Sequence, residues 1–122
     1  MNELAKKINK AAHEKGWWNN PREIGTLLML VVSELGEACE ADRINKYANL
    51  NLYKSVDEPG RKLHEAFSFD NCIKDTFEDE IADTLIRILD LCGQMDIDIE
   101  YFINEKLKYN KTRPYKHGNK KY

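Results

Sequence analysis

The chain has 122 residues, 42% hydrophobic and 33% charged, with a net charge of −2. That is enough for one domain, residues 1–122, with a real core, and too little for two. Six glycines and three prolines argue against a disordered chain. The longest apolar run, Leu27–Val32, is far too short to span a membrane, and charges scattered through "MNELAKKINK" argue against a secretory signal. Cys39, Cys72 and Cys92 are odd in number and have no CxxC spacing. Cys39 and Cys92 fall at apolar helix positions, so reduced core thiols in a cytoplasmic protein are expected.

The first predicted helix is "NELAKKINKAAHEKG", with Leu4, Ile8, Ala11 and Ala12 on one face and a stop at Gly16. A second, "NNPREIGTLLMLVVSELGEACEADRI", opens with Asn20 as N-cap, Pro21 at the first helical position and Glu23 at the capping-box position. Its apolar stripe runs through Ile24, Leu27, Leu28, Val31, Leu35 and Cys39. A long connection with a Pro59–Gly60 turn follows, and long loops in compact domains commonly carry function. The third helix, "DNCIKDTFEDEIADTLIRILDLCG", is expected to start at an Asp70 cap and end at Gly93. Its stripe is Ile73, Phe77, Ile81, Leu85, Ile88 and Cys92. The fourth, "DIDIEYFINEKLKYNK", has Asp96 or Asp98 near its start and lysines at its end, as the helix dipole prefers. With no glycine-rich phosphate loop and no alternating strand pattern, the chain reads as an all-α bundle of four helices.

Two acidic pairs interrupt this pattern. At 100° per residue Glu34 and Glu37 point the same way on the second helix, about a quarter-turn or more from its apolar centre. On the third helix Glu80, Asp83, Thr84 and Arg87 form a polar line beside an apolar surface. Packed antiparallel, the helices would set four carboxylates against one another, and without a cation some must stay protonated. All-oxygen ligands suit Mg²⁺, Mn²⁺ or Ca²⁺ rather than Zn²⁺. The plainer alternative is a solvated face paired with Lys and Arg. Two pairs on separate long helices, each beside a core stripe, weigh against it. A di-iron bundle needs Glu-x-x-His, and none of His13, His64 and His117 stands three residues after a Glu.

"SELGEACEA" followed by "EDEIADTLIRILDL" resembles the MazG-like, all-α nucleoside triphosphate pyrophosphohydrolases, whose signature is EExxE followed by ExxD. "KGWWNNPRE" and "EKLKYNKTRPYKHGNK" look like the same family, so the resemblance covers nearly the whole chain. It implies that Glu34, Glu37, Glu80 and Asp83 are both metal ligands and catalytic residues, with Mg²⁺ as the cofactor and Mn²⁺ as a substitute. It further implies cleavage of a (deoxy)nucleoside triphosphate to monophosphate and pyrophosphate, and assembly into homodimers or homotetramers. Ser33 stands where the motif's first Glu is usual, and the gap from Glu37 to Glu80 exceeds the usual spacing.

Charge is distributed unevenly. From Lys106 onward there are seven bases and no acid, leaving residues 1–105 with 12 bases, 21 acids and a net charge of −9. Lys111, Arg113 and Lys116 are candidates for phosphate contacts in this basic tail of residues 106–122. Trp17 or Trp18 is a candidate for stacking on the base, although both also suit core anchoring. Tyr109 and Asn110 are further candidates for nucleotide contacts. The competing function is a non-catalytic helical oligomer that binds nucleic acid or a protein through the tail.

Overall fold

The computed structural model describes residues 1–55 and 65–122, and the Pro59–Gly60 turn and His64 lie outside the described residues. Every regular element among the described residues is helical, as the sequence leads one to expect. The α-helices are α1 (Asn2–Glu14), α2 (Ile24–Arg43), α3 (Leu50–Lys54), α4 (Phe69–Cys72), α5 (Phe77–Gln94), α6 (Ile99–Lys111) and α7 (Lys116–Asn119), with a 3₁₀ turn at Glu65–Phe67. The four long ones, α1, α2, α5 and α6, answer to the four predicted helices; the short α3, α4 and α7 had no separate sequence signal. None is long and apolar enough to cross a membrane. The helices sort into two compact units, one of Met1–Trp17 with Leu89–Tyr122 and one of Trp18–Ile88.

In the first unit α1 ends as expected. Gly16 adopts φ 84°, and the Trp17 N–H donates to the Ala12 carbonyl at 3.1 Å, satisfying a carbonyl that the helix leaves open. The buried face is centred on Ala5, whereas Leu4 and Ala11 are exposed. The predicted face was therefore rotated, and close approach explains it. Gly93 on α5 lies so near α1 that a Cβ there would stand 2.8 Å from the Ala5 carbonyl oxygen and from Asn9 Cβ. Small residues on both sides let the backbones meet. The Asn9 amide adds hydrogen bonds to Asp90 Oδ1 at 2.8 Å and Gln94 Oε1 at 3.1 Å. Gly93 is thus a packing position and does not end the helix. The left-handed residue after α5 is Asp96, at φ 53°, with the Ile97 N–H bonded to the Cys92 carbonyl at 2.9 Å.

Asp98 caps α6 by accepting from the Tyr101 N–H at 3.1 Å. Asn2 binds this start from α1, donating to Asp98 at 2.6 Å and accepting from the Glu100 N–H at 3.2 Å. No residue of α6 is buried, and Tyr101, Phe102, Leu107 and Tyr109 are exposed along it.

In the second unit α2 begins at Ile24 with Glu23 as its N-cap, three residues later than the Pro21 start predicted, and no side chain caps it. Its buried line is Leu27, Glu34, Ala38 and Ala41. Ile24, Leu28, Met29, Val32, Leu35 and Cys39 are exposed. The helix is turned from the predicted orientation: much of the expected stripe faces out, and Glu34 faces in. Cys72 and Cys92 are the buried thiols, and Cys39 is not one of them.

The third predicted helix is broken in two. Ser68, not Asp70, caps α4 by accepting from the Asn71 N–H at 3.3 Å. The chain then reverses through Ile73 and Asp75, the latter at φ 61°. Thr76, buried just before α5, accepts from the Asp79 N–H at 3.3 Å, while the Asp79 carboxylate accepts from the Asp75 N–H at 2.9 Å. Short polar side chains satisfying local N–H groups make this break favourable. The end of α2 is tied to the start of α5: the Phe77 N–H donates to the Lys46 carbonyl at 2.9 Å, and the Ala48 N–H donates to Glu78 at 2.8 Å.

The close approach of α1 to α5 can be tested at Gly93. Gly93→Ala should destabilise the protein by about 1–3 kcal/mol, because backbone rather than a movable side chain blocks the added methyl. An unchanged thermal midpoint would show that the two helices are not in contact there.

Candidate metal centre

The seam between α2 and α5 in the second unit is polar where a core is usually apolar. Each helix places a carboxylate on its buried line, and Glu34 and Glu80 are only 8% and 5% exposed. Thr84 on α5 and Thr76 just before it are buried with Glu80. The Thr84 hydroxyl donates to the Glu80 carbonyl at 2.8 Å, so it satisfies itself within the helix. The seam is antiparallel: Glu34 pairs with Arg87, and three residues further along α2 Glu37 meets Glu80, one to two turns earlier on α5.

The sequence placed these acids at the edge of the apolar stripe, and that expectation needs correction for Glu34. It stands among Leu27, Ala38 and Ala41 on the buried line. A solvated acidic face is therefore the wrong description of Glu34 and Glu80. One carboxylate oxygen from each of Glu34, Glu37 and Glu80 falls within a group whose members all lie within 4.8 Å of one another. Asp83 is outside that group of three, but its charge is felt there, and it is partly buried one turn along α5.

Crowding shows in the protonation of the site. Burial, then the hydrogen bond and charge of Glu37, then the charges of Glu34 and Asp83, raise the Glu80 carboxyl to about 7. Asp83 is pushed up as well, by burial and then by the charges of Asp79 and Glu34, against a smaller opposing pull from Arg87. Glu34 moves the other way. Burial pushes it up, but hydrogen bonds to Arg87 and Glu37, with the Arg87 charge, outweigh that and leave it below the ordinary value. Arg87 Nε donates to Glu34 Oε1 at 2.6 Å.

Among the described residues one guanidinium faces four carboxylates, and burial together with the neighbouring charges holds Glu80 protonated near neutrality. This donor set fits a hard divalent cation: the ligand atoms of Glu34, Glu37 and Glu80 are all carboxylate oxygens, they converge from two helices, and among the described residues their one ion pair is with Arg87.

Asp75 and Asp79 form a second acidic group with Glu80. Sequence reasoning passed over both, although "KDTFEDE" displays them just ahead of Glu80. Asp79 is engaged in the turn before α5, where its carboxylate holds the Asp75 N–H, so this group is explained by local structure.

The other predicted site residues are dispersed. Trp18, in the second unit, is half-buried with the Arg22 guanidinium 5.2 Å from its ring. Trp17, in the first unit, is 64% exposed and is not a core anchor. Also in the first unit, Tyr109 lies under the Lys106 ammonium at 4.9 Å, and Asn110 Oδ1 is buried with no hydrogen-bond partner among the described residues. Lys111 and Lys116 are exposed, and Arg113 is half-buried.

The carboxyl shifts give a stability profile with a definite sign. In the metal-free protein Glu80 keeps its proton up to about pH 7, against 4.5 for the ordinary carboxyl. Its stabilising contribution is complete below the unfolded value and is lost as pH rises through the folded one, a change of about 3 kcal/mol. Asp83 adds in the same direction, whereas the Glu34 contribution is present above its unfolded value and is lost only in more acidic solution. The metal-free midpoint should fall between about pH 4.5 and about pH 7 and level off above that, and Glu80→Gln should flatten the fall. A midpoint that holds or rises over this range would contradict the crowded site.

No family model, no curated protein and no solved structure matches the chain.

Proposed function

We propose that the protein is a divalent-metal-dependent nucleoside triphosphate pyrophosphohydrolase, cleaving a (d)NTP to monophosphate and pyrophosphate. The observation that carries this reading is the convergence of Glu34, Glu37 and Glu80 across an antiparallel helix pair, with two of the three buried. The MazG-like motif resemblance supplies the reaction, because Glu34 and Glu37 fill the last two acidic positions of EExxE, with Ser33 at the first, and Glu80 and Asp83 fill ExxD. Glu34, Glu37, Glu80 and Asp83 would hold Mg²⁺, or Mn²⁺ in its place. When bound, the cation offsets the charge of carboxylates and triphosphate and polarises the scissile phosphoanhydride.

The chain's own part is to present those oxygens from two helices, α2 and α5. Glu80 and Thr84 lie on the same buried line of α5, and Glu34 is fixed on the buried line of α2. Phosphate contacts are assigned to Lys111, Arg113 and Lys116 on their charge, and contacts to the base and sugar to Trp17 or Trp18, Tyr109 and Asn110 on their chemistry. Homo-oligomerisation belongs to the same proposal. The exposed apolar residues of α2, Ile24, Leu28, Met29, Val32 and Leu35, share one side of that helix and offer a surface that a second copy is suited to cover. Free cysteines agree with a reducing, cytoplasmic setting.

The decisive experiment is a panel of nucleoside triphosphates with Mg²⁺, scored for pyrophosphate release. Turnover should vanish with chelator. Glu37→Gln and Asp83→Asn should each lose most activity and keep the helical circular dichroism, since each removes ligand charge and little volume. Orthophosphate and diphosphate as products, or full turnover in excess EDTA, would defeat the proposal.

The basic tail separates this reading from a nucleic-acid-binding oligomer. Arg113→Ala should raise KM for the triphosphate with a smaller effect on kcat. If the tail is a nucleic-acid arm instead, hydrolysis will be untouched, and a salt-dependent affinity for DNA or RNA will fall.

A further inference from the structure

Among the described residues Arg87 is the base paired with the carboxylate group, and the motif resemblance gives it no role. Its position follows from the helix. Four residues beyond Asp83 and seven beyond Glu80, it continues their polar line toward Glu34 on the antiparallel α2. Its Nε donates to Glu34 Oε1 at 2.6 Å. Among the described residues no hydrogen bond joins it to Glu37, Glu80 or Asp83.

The two partners are unequally placed. The Glu34 side chain is 11% exposed and the Arg87 side chain 38%, so the carboxylate is fixed inside while the guanidinium reaches the solvent. A long side chain anchored at the surface by one bond can turn outward without disturbing the helix that carries it.

The geometry points to Arg87 as an exchangeable counter-ion, which holds Glu34 while the carboxylates lack a divalent cation, yields that carboxylate to the metal, and turns its guanidinium to the phosphates of the nucleotide. Two considerations carry this. A divalent ion held by Glu34, Glu37 and Glu80 would stand beside the guanidinium and repel it, so the two cations compete for Glu34. A displaced guanidinium is then an unpaired planar donor fork at the edge of a site that receives a triphosphate, and that fork matches phosphate geometry. The negative charge that Arg87 loses on leaving Glu34 is returned by the substrate.

This inference rests on the metal-site reading, and it can fail without it. The experiment measures Mn²⁺ binding by calorimetry, and then binding of an α,β-methylene nucleoside triphosphate to the Mn²⁺-loaded protein, for wild type, Arg87→Met and Arg87→Lys. Without its competitor, Arg87→Met should bind Mn²⁺ about tenfold more tightly than wild type. It should bind the analogue about tenfold more weakly. Its metal-free form should melt below wild type, and Mn²⁺ should raise its midpoint further than that of wild type. Arg87→Lys keeps the charge and should stay near wild type for the metal, and it keeps the comparison usable if the methionine variant fails to fold.

Equal or weaker Mn²⁺ binding by Arg87→Met would make the pair a fixed structural bridge and overturn the exchange. Unchanged analogue affinity would overturn it as well. If wild type binds Mn²⁺ and either result appears, the exchange alone falls. A wild type that binds no Mn²⁺ removes the metal site and the exchange together.

Discussion

The second unit is organised around carboxylates that cannot all be ionised in the space they occupy. Glu34 and Glu80 take positions on α2 and α5 that an ordinary helix pair fills with leucine or valine. Replacing such a pair by apolar residues is often neutral or stabilising, so fold stability does not explain them. The seam is held partly by the Arg87–Glu34 bridge and partly by a proton retained on Glu80. Among the described residues these two offset part of the negative charge gathered in the seam.

The same arrangement accounts for the outward face of α2. A helix of this amphipathic length has one line to bury within its unit, and here that line includes the carboxylate. Leu28, Met29, Val32 and Leu35 then have no place inside. The exposed apolar surface is thus tied to the inward acid: turning α2 to bury those residues would carry Glu34 to the solvent and disband the site. A chemical site in the seam and an apolar surface available for association are two outcomes of one helix orientation.

The first unit meets a different constraint, the distance between backbones. Ala5 and Gly93 bring α1 against the end of α5, and Asn9 fixes the register through Asp90 and Gln94. Its core is small, and α6 buries none of its residues. The aromatic and aliphatic side chains of α6 are therefore surface features of the single chain. The buried Asn110 Oδ1, which has no hydrogen-bond partner among the described residues, stands at the end of that helix, next to the basic residues of the tail.

Much of this was legible from residue order alone, because helix formation and capping are local. Periodicity gave the four long helices. Gly16 supplied the left-handed stop of α1, and the acids at Asp96 and Asp98 marked the start of α6, where the structure makes Asp98 the cap. The spacing of Glu34 with Glu37 and of Glu80 with Asp83 placed the acids on two helix faces, since i and i+3 share a face wherever the helix lies. What the sequence left undecided is everything that depends on which face meets which neighbour. Apolar content suggested that Leu28 and Leu35 point inward, yet α2 turns Glu34 in instead. Gly93 read as a stop, but its missing side chain serves a contact with Ala5, nearly ninety residues away. Asp75 and Thr76 broke a continuous apolar period through local side-chain hydrogen bonds that periodicity does not register. Arg87 appeared only as one more polar residue beside Thr84. Its partner lies 53 positions away on another helix, and only the antiparallel packing of α2 and α5 brings that charge onto Glu34.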